Sequence, residues 1–148
     1  MANTEKSLWR SVRKEQFESG VIKDGKPADG VLYPDFYARE LPNNGGLRQP
    51  DVELYKDEHG VEWVKPGGGT SLFDVAKVFK GKSWLSFEIP EGTLVPDSLI
   101  VRCTGYNARF KADHYQIECN EKPMRIDTFK GALDNLARNA IAKTVELA

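Results

Sequence analysis

Between residues 20 and 69 the chain changes direction too often for a helix or a long strand to run through it. KDGKPADG, YPDFY, LPNNGG, DEHG and KPGGG are all turn signals. Proline sets φ and removes a donor, while glycine, asparagine and aspartate accept the tight backbone that a turn needs. A stretch this long in a compact protein is usually functional, disordered or built of short strands. Short strands are expected at 52–55 and 61–64, joined by KDEHG as a hairpin.

Regular structure must therefore come from the flanks. SLWRSV at 7–12 reads as a short strand, with Leu8 and Arg10 on one face and Trp9 on the other. RKEQFES then suits one helical turn before Gly20. After residue 67 a run of glycines leads into Thr70, Ser71 and LFDVAKVF. Apolar residues at 72, 73, 75, 76, 78 and 79 predict a short buried helix, capped by Thr70 or Ser71 with Asp74 in its first turn. Three strand-like segments follow: WLSFEIP, SLIVRCTGYNARF and HYQIEC. Pro90, Gly92 and Pro96 enforce a turn between the first two. Beyond Pro123, Phe129, Leu133, Leu136, Ala140, Ile141 and Val145 recur at helical spacing. Asp127 is the expected N-cap, and Lys130, Asp134, Arg138 and Lys143 are expected to face water. The pattern predicts one α+β domain over 1–148, a mainly antiparallel or mixed sheet with few helices and a C-terminal amphipathic helix.

Composition narrows the function classes. Apolar residues make up 40% and charged residues 29% of 148, a globular profile. With 21 basic and 22 acidic residues the net charge is −1, so no global field draws polyanions. Nucleic-acid binding would need a local patch; Arg102, Arg109 and Lys111 beside Tyr106 give a hint of one, but read better as scattered surface charge. Cys103 and Cys119 read as two buried thiols, and neither they nor His59 and His114 fall in a metal-ligand spacing, so no metal is expected. The opening residues carry no apolar signal-peptide core, and no run approaches the roughly 20 residues of a membrane span. The expectation is a protein cytoplasmic as made, with no membrane partner, and any exit would use a route without a cleaved signal.

Two segments concentrate chemistry. In PGGGTSLFD at 66–74, glycines allow close backbone approach to a ligand and Thr70 and Ser71 add hydroxyls at the same point. The spacing is neither a Walker loop nor a dinucleotide fingerprint, and an ordinary flexible loop with a helix cap explains it equally well. In DHYQIE at 113–118, a strand would put His114, Gln116 and Glu118 on one face and Tyr115 and Ile117 on the other. That polar face either lines a cleft or simply meets solvent.

Taken in order, GGTSLFD, EIPEGTLVPDSL, GYNARFKADHYQIECNEKPM and GALDNLARNAI resemble the type VI secretion NAD-dependent toxin family, type six exported toxin two. The likeness is close over 66–143, looser at SLWRSV and poor over 14–65. It implies a compact ADP-ribosyltransferase-like fold, in which two packed, mainly antiparallel sheets clamp NAD. It implies an opening-strand arginine on the dinucleotide, matched by Arg10, whose guanidinium suits an anion. It implies a hydroxyl motif under the nicotinamide ribose, matched by Gly69, Thr70 and Ser71 with Phe73 beside them. A later strand would supply the catalytic group: His114 and Tyr115 fit this family's HYxI, while Glu118 fits the Q-x-E of arginine-modifying transferases. NAD as substrate, a cognate immunity protein, an acceptor macromolecule of unknown kind and delivery into a target cell's cytosol come with the resemblance. A metal-independent ribonuclease using His114, Glu118 and Arg109, or a non-catalytic protein-binding module, are the alternatives.

Overall fold

The computed structural model describes residues 2–41 and 45–148. In chain order its strands are β1 (Ala2–Asn3), β2 (Leu8–Arg13), β3 (Ile22–Lys23), β4 (Lys26–Pro27), β5 (Arg39–Glu40), β6 (Leu47–Arg48), β7 (Leu54–Lys56), β8 (Glu62–Val64), β9 (Thr70–Phe73), β10 (Trp84–Ile89), β11 (Leu94–Val95), β12 (Leu99–Asn107), β13 (Ala112–Cys119) and β14 (Met124–Arg125). The helix α1 spans Ile126–Leu147. Every strand pairing among the described residues is antiparallel. The main sheet has the order β10-β2-β9-β13-β12, and a second, β14-β8-β7, packs with α1 across the core. This is the α+β architecture that the hydrophobic pattern predicts.

Period-two alternation decides which face of the main sheet is buried. Leu8, Val12, Leu72, Phe87, Ile89, Ile117 and Cys119 point inward against Phe129, Leu133, Leu136, Ala137 and Ala140 of the helix. The opposite face carries Trp9, Ser11 and Arg13 of β2, Trp84 and Ser86 of β10, Ser71 and Phe73 of β9, and His114 and Gln116 of β13. The irregular middle is not left outside: Val31, Leu32, Phe36 and Val52 are all in the core, so burying them holds a nearly structureless stretch in place.

Several local expectations hold. RKEQFES contains a single 3₁₀ turn, Lys14–Gln16. The expected hairpin forms as β7 and β8, shifted slightly, and Asp57 closes it by accepting from the amides of His59 and Val61 and from Trp63 Nε1. The turn expected in LPNNGG falls partly on residues 42–44, outside the described residues.

Others need correction. The helix expected after Ser71 is instead strand β9 followed by turns, because residues 70–73 pair with β13 from Ile117 back to His114. Short apolar runs do not discriminate helix from buried strand, and the ladder settles it here. Lys77, at φ 56°, marks the irregular backbone that follows. The helix starts one residue before the expected cap, at Ile126, since β14 holds the chain up to Arg125; Asp127 lies in the first turn and still complements the helix dipole. Val145, read as part of the apolar stripe, is 69% exposed. Cys103 is exposed rather than buried, and both thiols are free. Asp134, read as solvent-facing, is half-buried and tied to the loop above it.

Candidate functional site: a split between two strands

Strands β2 and β9 share a single ladder pair, Trp9 opposite Phe73. Beyond it they diverge, and the gap is bridged by a side chain. Arg10 donates through Nη1 to the carbonyl of Ser71 (3.2 Å) and through Nη2 to the carbonyl of Tyr33 (3.1 Å). Its Nε is buried and has no partner. No carboxylate lies within ion-pairing distance of it among the described residues. Burial lowers the guanidinium pKa; Asp51 and Asp35 oppose that at longer range, and Arg48 adds to it. A half-buried cation whose direct partners among the described residues are two neutral carbonyls is poised for an anion.

The split opens into a cleft of about 470 Å³. Its sheet wall includes Arg10, Ser11, Ser71, Phe73 and Trp84, and the facing wall is Tyr33, Pro34, Asp35, Arg39 and Arg48 from the irregular middle. Asp35 accepts from Arg48 Nε (2.7 Å) and Arg39 Nε (3.4 Å), and its backbone amide donates to Asp51 (2.7 Å). Burial pushes the Asp35 carboxyl up, but the two guanidiniums outweigh this and hold it below the ordinary carboxylate value. The same contact raises Arg48. The loop is anchored from behind: Asp134 on α1 accepts from Gly30 N–H (3.1 Å) and Tyr33 O–H (2.7 Å).

The residues singled out from sequence separate into two groups. Arg10, Ser71 and Phe73 line the cleft. Thr70 does not: it is fully buried on the opposite face, where its hydroxyl donates to the Leu32 carbonyl at 2.6 Å. Gly69 is packed so tightly on β13 that a Cβ there would lie 1.7 Å from the Ile117 carbonyl oxygen, and one on Gly68 would lie 2.4 Å from that of Asp51. Close approach is what these glycines allow, and the approaching partner is the protein's own backbone.

His114, Tyr115 and Glu118 sit one strand further out, on β13. His114 is opposite Phe73, and the two rings meet edge-to-face at 5.2 Å. Thr104 holds its Nδ1, and burial lowers its pKa, favouring the neutral imidazole. Tyr115 lies on the core-facing side, under Lys6, with burial raising its hydroxyl's pKa. Glu118 is 5% exposed and engaged by Arg102 (2.5 and 3.1 Å) and Gln116 (2.9 Å). An aromatic string, Trp84, Phe79, Phe110, Phe73 and His114, runs from the cleft to this strand with centroid spacings of 4.6, 5.0, 5.2 and 5.2 Å. Sequence reasoning missed Tyr33, Asp35, Arg39 and Arg48. Their one signal was the length of the irregular middle, since long loops carry function more often than they merely connect.

An arginine-bridged split of this kind suits a dinucleotide. Residues 2–145 match the model of the Tse2 ADP-ribosyltransferase toxin family. The chain belongs to that family. Toxin Tse2 of Pseudomonas aeruginosa is 34% identical over 156 residues, covering 98% of this chain and 94% of the relative. The match therefore runs through the irregular middle, where the resemblance read from sequence was poor. As a Tse2-family member the protein is a cytotoxic ADP-ribosyltransferase effector, and its reaction class takes NAD as substrate. No helix among the described residues is long and apolar enough to cross a membrane.

Proposed function

We propose that NAD binds in the split between β2 and β9, with Arg10 on its pyrophosphate and Ser71 and Phe73 at the nicotinamide ribose. The observation that carries this reading is the half-buried guanidinium of Arg10 on the cleft wall, held by two carbonyls, with no carboxylate in ion-pairing distance among the described residues and its Nε left unpartnered. Arg48 and Arg39, set by Asp35, add positive charge on the facing wall. Thr70 and Gly69 shape the cleft indirectly: Thr70 holds the loop that carries Tyr33, and Gly69 seats β9 on β13.

In the reaction the nicotinamide–ribose bond breaks and the ADP-ribosyl group passes to an acceptor. A group that hydrogen-bonds the reacting ribose stabilises the positive charge that develops there. On β13, His114 is the candidate nearest the cleft: it does not line it, but its ring packs against Phe73, which does, and burial favours its neutral form. Glu118 would have to leave its Arg102 pair to take part, and Tyr115 would act from the other face of the strand. A cognate immunity protein would cover the cleft or its rim, and the toxin would act in the cytosol of a cell that a secretion apparatus delivers it into.

The test is turnover. Purified protein is incubated with NAD, and release of nicotinamide and transfer of label are followed. Arg10→Ala should lower kcat/KM at least about 100-fold, roughly the loss expected on removing one charge-assisted anion contact of about 3 kcal/mol. Wild-type protein that neither binds nor consumes NAD would end the proposal, as would toxicity untouched by Arg10→Ala and Ser71→Ala.

A further inference from the structure

Next to the NAD cleft lies a second pocket of about 240 Å³. The two share Ser11, Phe79 and Trp84 as a common wall, so a group bound in one lies alongside a group bound in the other. The second pocket is bounded by Lys77, Lys80 and Ser86 as well. The Ser86 hydroxyl is buried and has no partner. A buried polar atom left without a partner costs free energy that a ligand oxygen can recover.

Along the pocket's own segment the charge is one-sided. From Lys77 to Trp84 the chain carries Lys77, Lys80 and Lys82 and no acid. All three lysines are exposed, and none is in ion-pairing distance of a carboxylate among the described residues. Arg13 lies over the Trp84 ring at 4.5 Å. Beyond it a third cavity of about 410 Å³ is lined by Arg13, Lys14 and Lys82, with Glu15 and Glu18 also on its wall. Five cations, Lys77, Lys80, Lys82, Arg13 and Lys14, thus line two cavities whose walls meet along the chain at Gly81–Lys82 and Ser83–Trp84, against two acids, in a protein whose net charge is −1.

We propose that this row is the acceptor subsite, and that the acceptor is a single-stranded nucleic acid whose phosphodiester backbone lies along Lys77, Lys80, Lys82 and Arg13. A free phosphate would occupy one pocket; a cationic row spanning two fits a polyanion that tracks it. A pocket of about 240 Å³ on the wall of the NAD cleft takes at most one nucleotide or part of one, which a single strand presents freely and a duplex only by unpairing. In the transfer, the bond between ribose C1′ and the nicotinamide nitrogen breaks, and its electron pair leaves with neutral nicotinamide. A hydroxyl or amino group of the strand forms the new bond to C1′ and releases its proton to solvent.

The inference rests on the placement of NAD in the neighbouring cleft, and loss of NAD binding by Arg10→Ala, measured without any nucleic acid, tests that placement separately. The experiment measures binding of a fluorescein-labelled 12-nucleotide single-stranded RNA, and of the DNA equivalent, by anisotropy across a salt series. The proteins are the wild type and the Lys77→Gln/Lys80→Gln/Lys82→Gln variant, whose changes are all on exposed side chains. The wild type should bind, and the variant should bind at least about 10-fold more weakly, with the slope of log K against log salt smaller by about 2, from 0.7 per lost phosphate contact. The variant's KM for NAD should stay within about twofold of wild type, and label from NAD should appear in the RNA or DNA with wild type only. Absence of oligonucleotide binding by the wild type, or equal binding by the variant, overturns the proposal. So does a raised KM for NAD with oligonucleotide affinity unmoved, which would give the pocket to NAD's own pyrophosphate. Competition by polyglutamate as effective as by unlabelled RNA would reduce the row to a general charge effect and overturn it equally.

Discussion

Asp134 is the strongest test of how the cleft is held. It lies on α1, outside the cleft lining, yet its carboxylate accepts from Gly30 N–H and Tyr33 O–H, and the Tyr33 carbonyl in turn accepts from Arg10. Burial, then the Asp134 contact, raises the Tyr33 hydroxyl far above its ordinary pKa, so it donates at every working pH. Asp134→Ala removes two hydrogen bonds to a charged acceptor. Such bonds contribute about 1.5–3 kcal/mol each when buried, and about 1 kcal/mol each is appropriate at this half-buried site, about 2 kcal/mol in total. If the whole of that loosens the Tyr33 carbonyl, NAD affinity falls by about 30-fold, since 1.4 kcal/mol is tenfold. If half is transmitted, the loss is about fivefold. Calorimetric titration with NAD and nicotinamide-release kinetics measure it, with the change expected in Kd and KM and little in kcat. Tyr33→Phe, which removes only the hydroxyl, should give the smaller effect of the two. A Tm lowered by about 4–8 °C, at roughly 2–4 °C per kcal/mol, with NAD affinity unchanged in both variants, would show that Asp134 supports the fold and has no part in positioning Arg10.

The adjacent hydroxyls should behave differently from each other. Thr70→Val leaves the Leu32 carbonyl buried without its donor and should cost about 1–2 kcal/mol in denaturant unfolding, whereas Ser71→Ala should leave stability within about 0.5 kcal/mol and lower NAD turnover. Gly69→Ala drives a methyl into the Ile117 carbonyl and should destabilise by about 3 kcal/mol or more, visible as a Tm drop of about 6–12 °C. Burial holds the His114 pKa below its ordinary value, so the unfolded chain takes up this proton first. Stability linked to His114 is therefore fully present above about pH 6.5 and declines as pH falls below it. Thermal melts between pH 7.5 and 5 should show a steeper decline for wild type than for His114→Gln; parallel curves would contradict the assignment.

What the sequence determined by itself was everything that local periodicity can carry. The C-terminal helix, the strands at β2, β10, β12 and β13, and the two-faced pattern of His114 to Cys119 follow from side chains a few residues apart. The presence of Arg10 and Ser71 in one cleft followed from their place in a family pattern. Tertiary structure decided the rest, because the deciding partners lie far away in the chain. Residues 70–73 are a strand since β13, more than forty residues later, offers them a ladder. Thr70 turns inward since the Leu32 carbonyl, 38 residues earlier, accepts its proton. Gly68 and Gly69 face protein backbone, which no glycine run announces. Above all, the facing wall of the cleft is drawn from the irregular middle, whose conformation comes from its buried apolar residues, the Asp35–Arg48 pair and the Asp134 anchor. A chain dense in turn signals states where it can bend; only its long-range partners settle where it ends up.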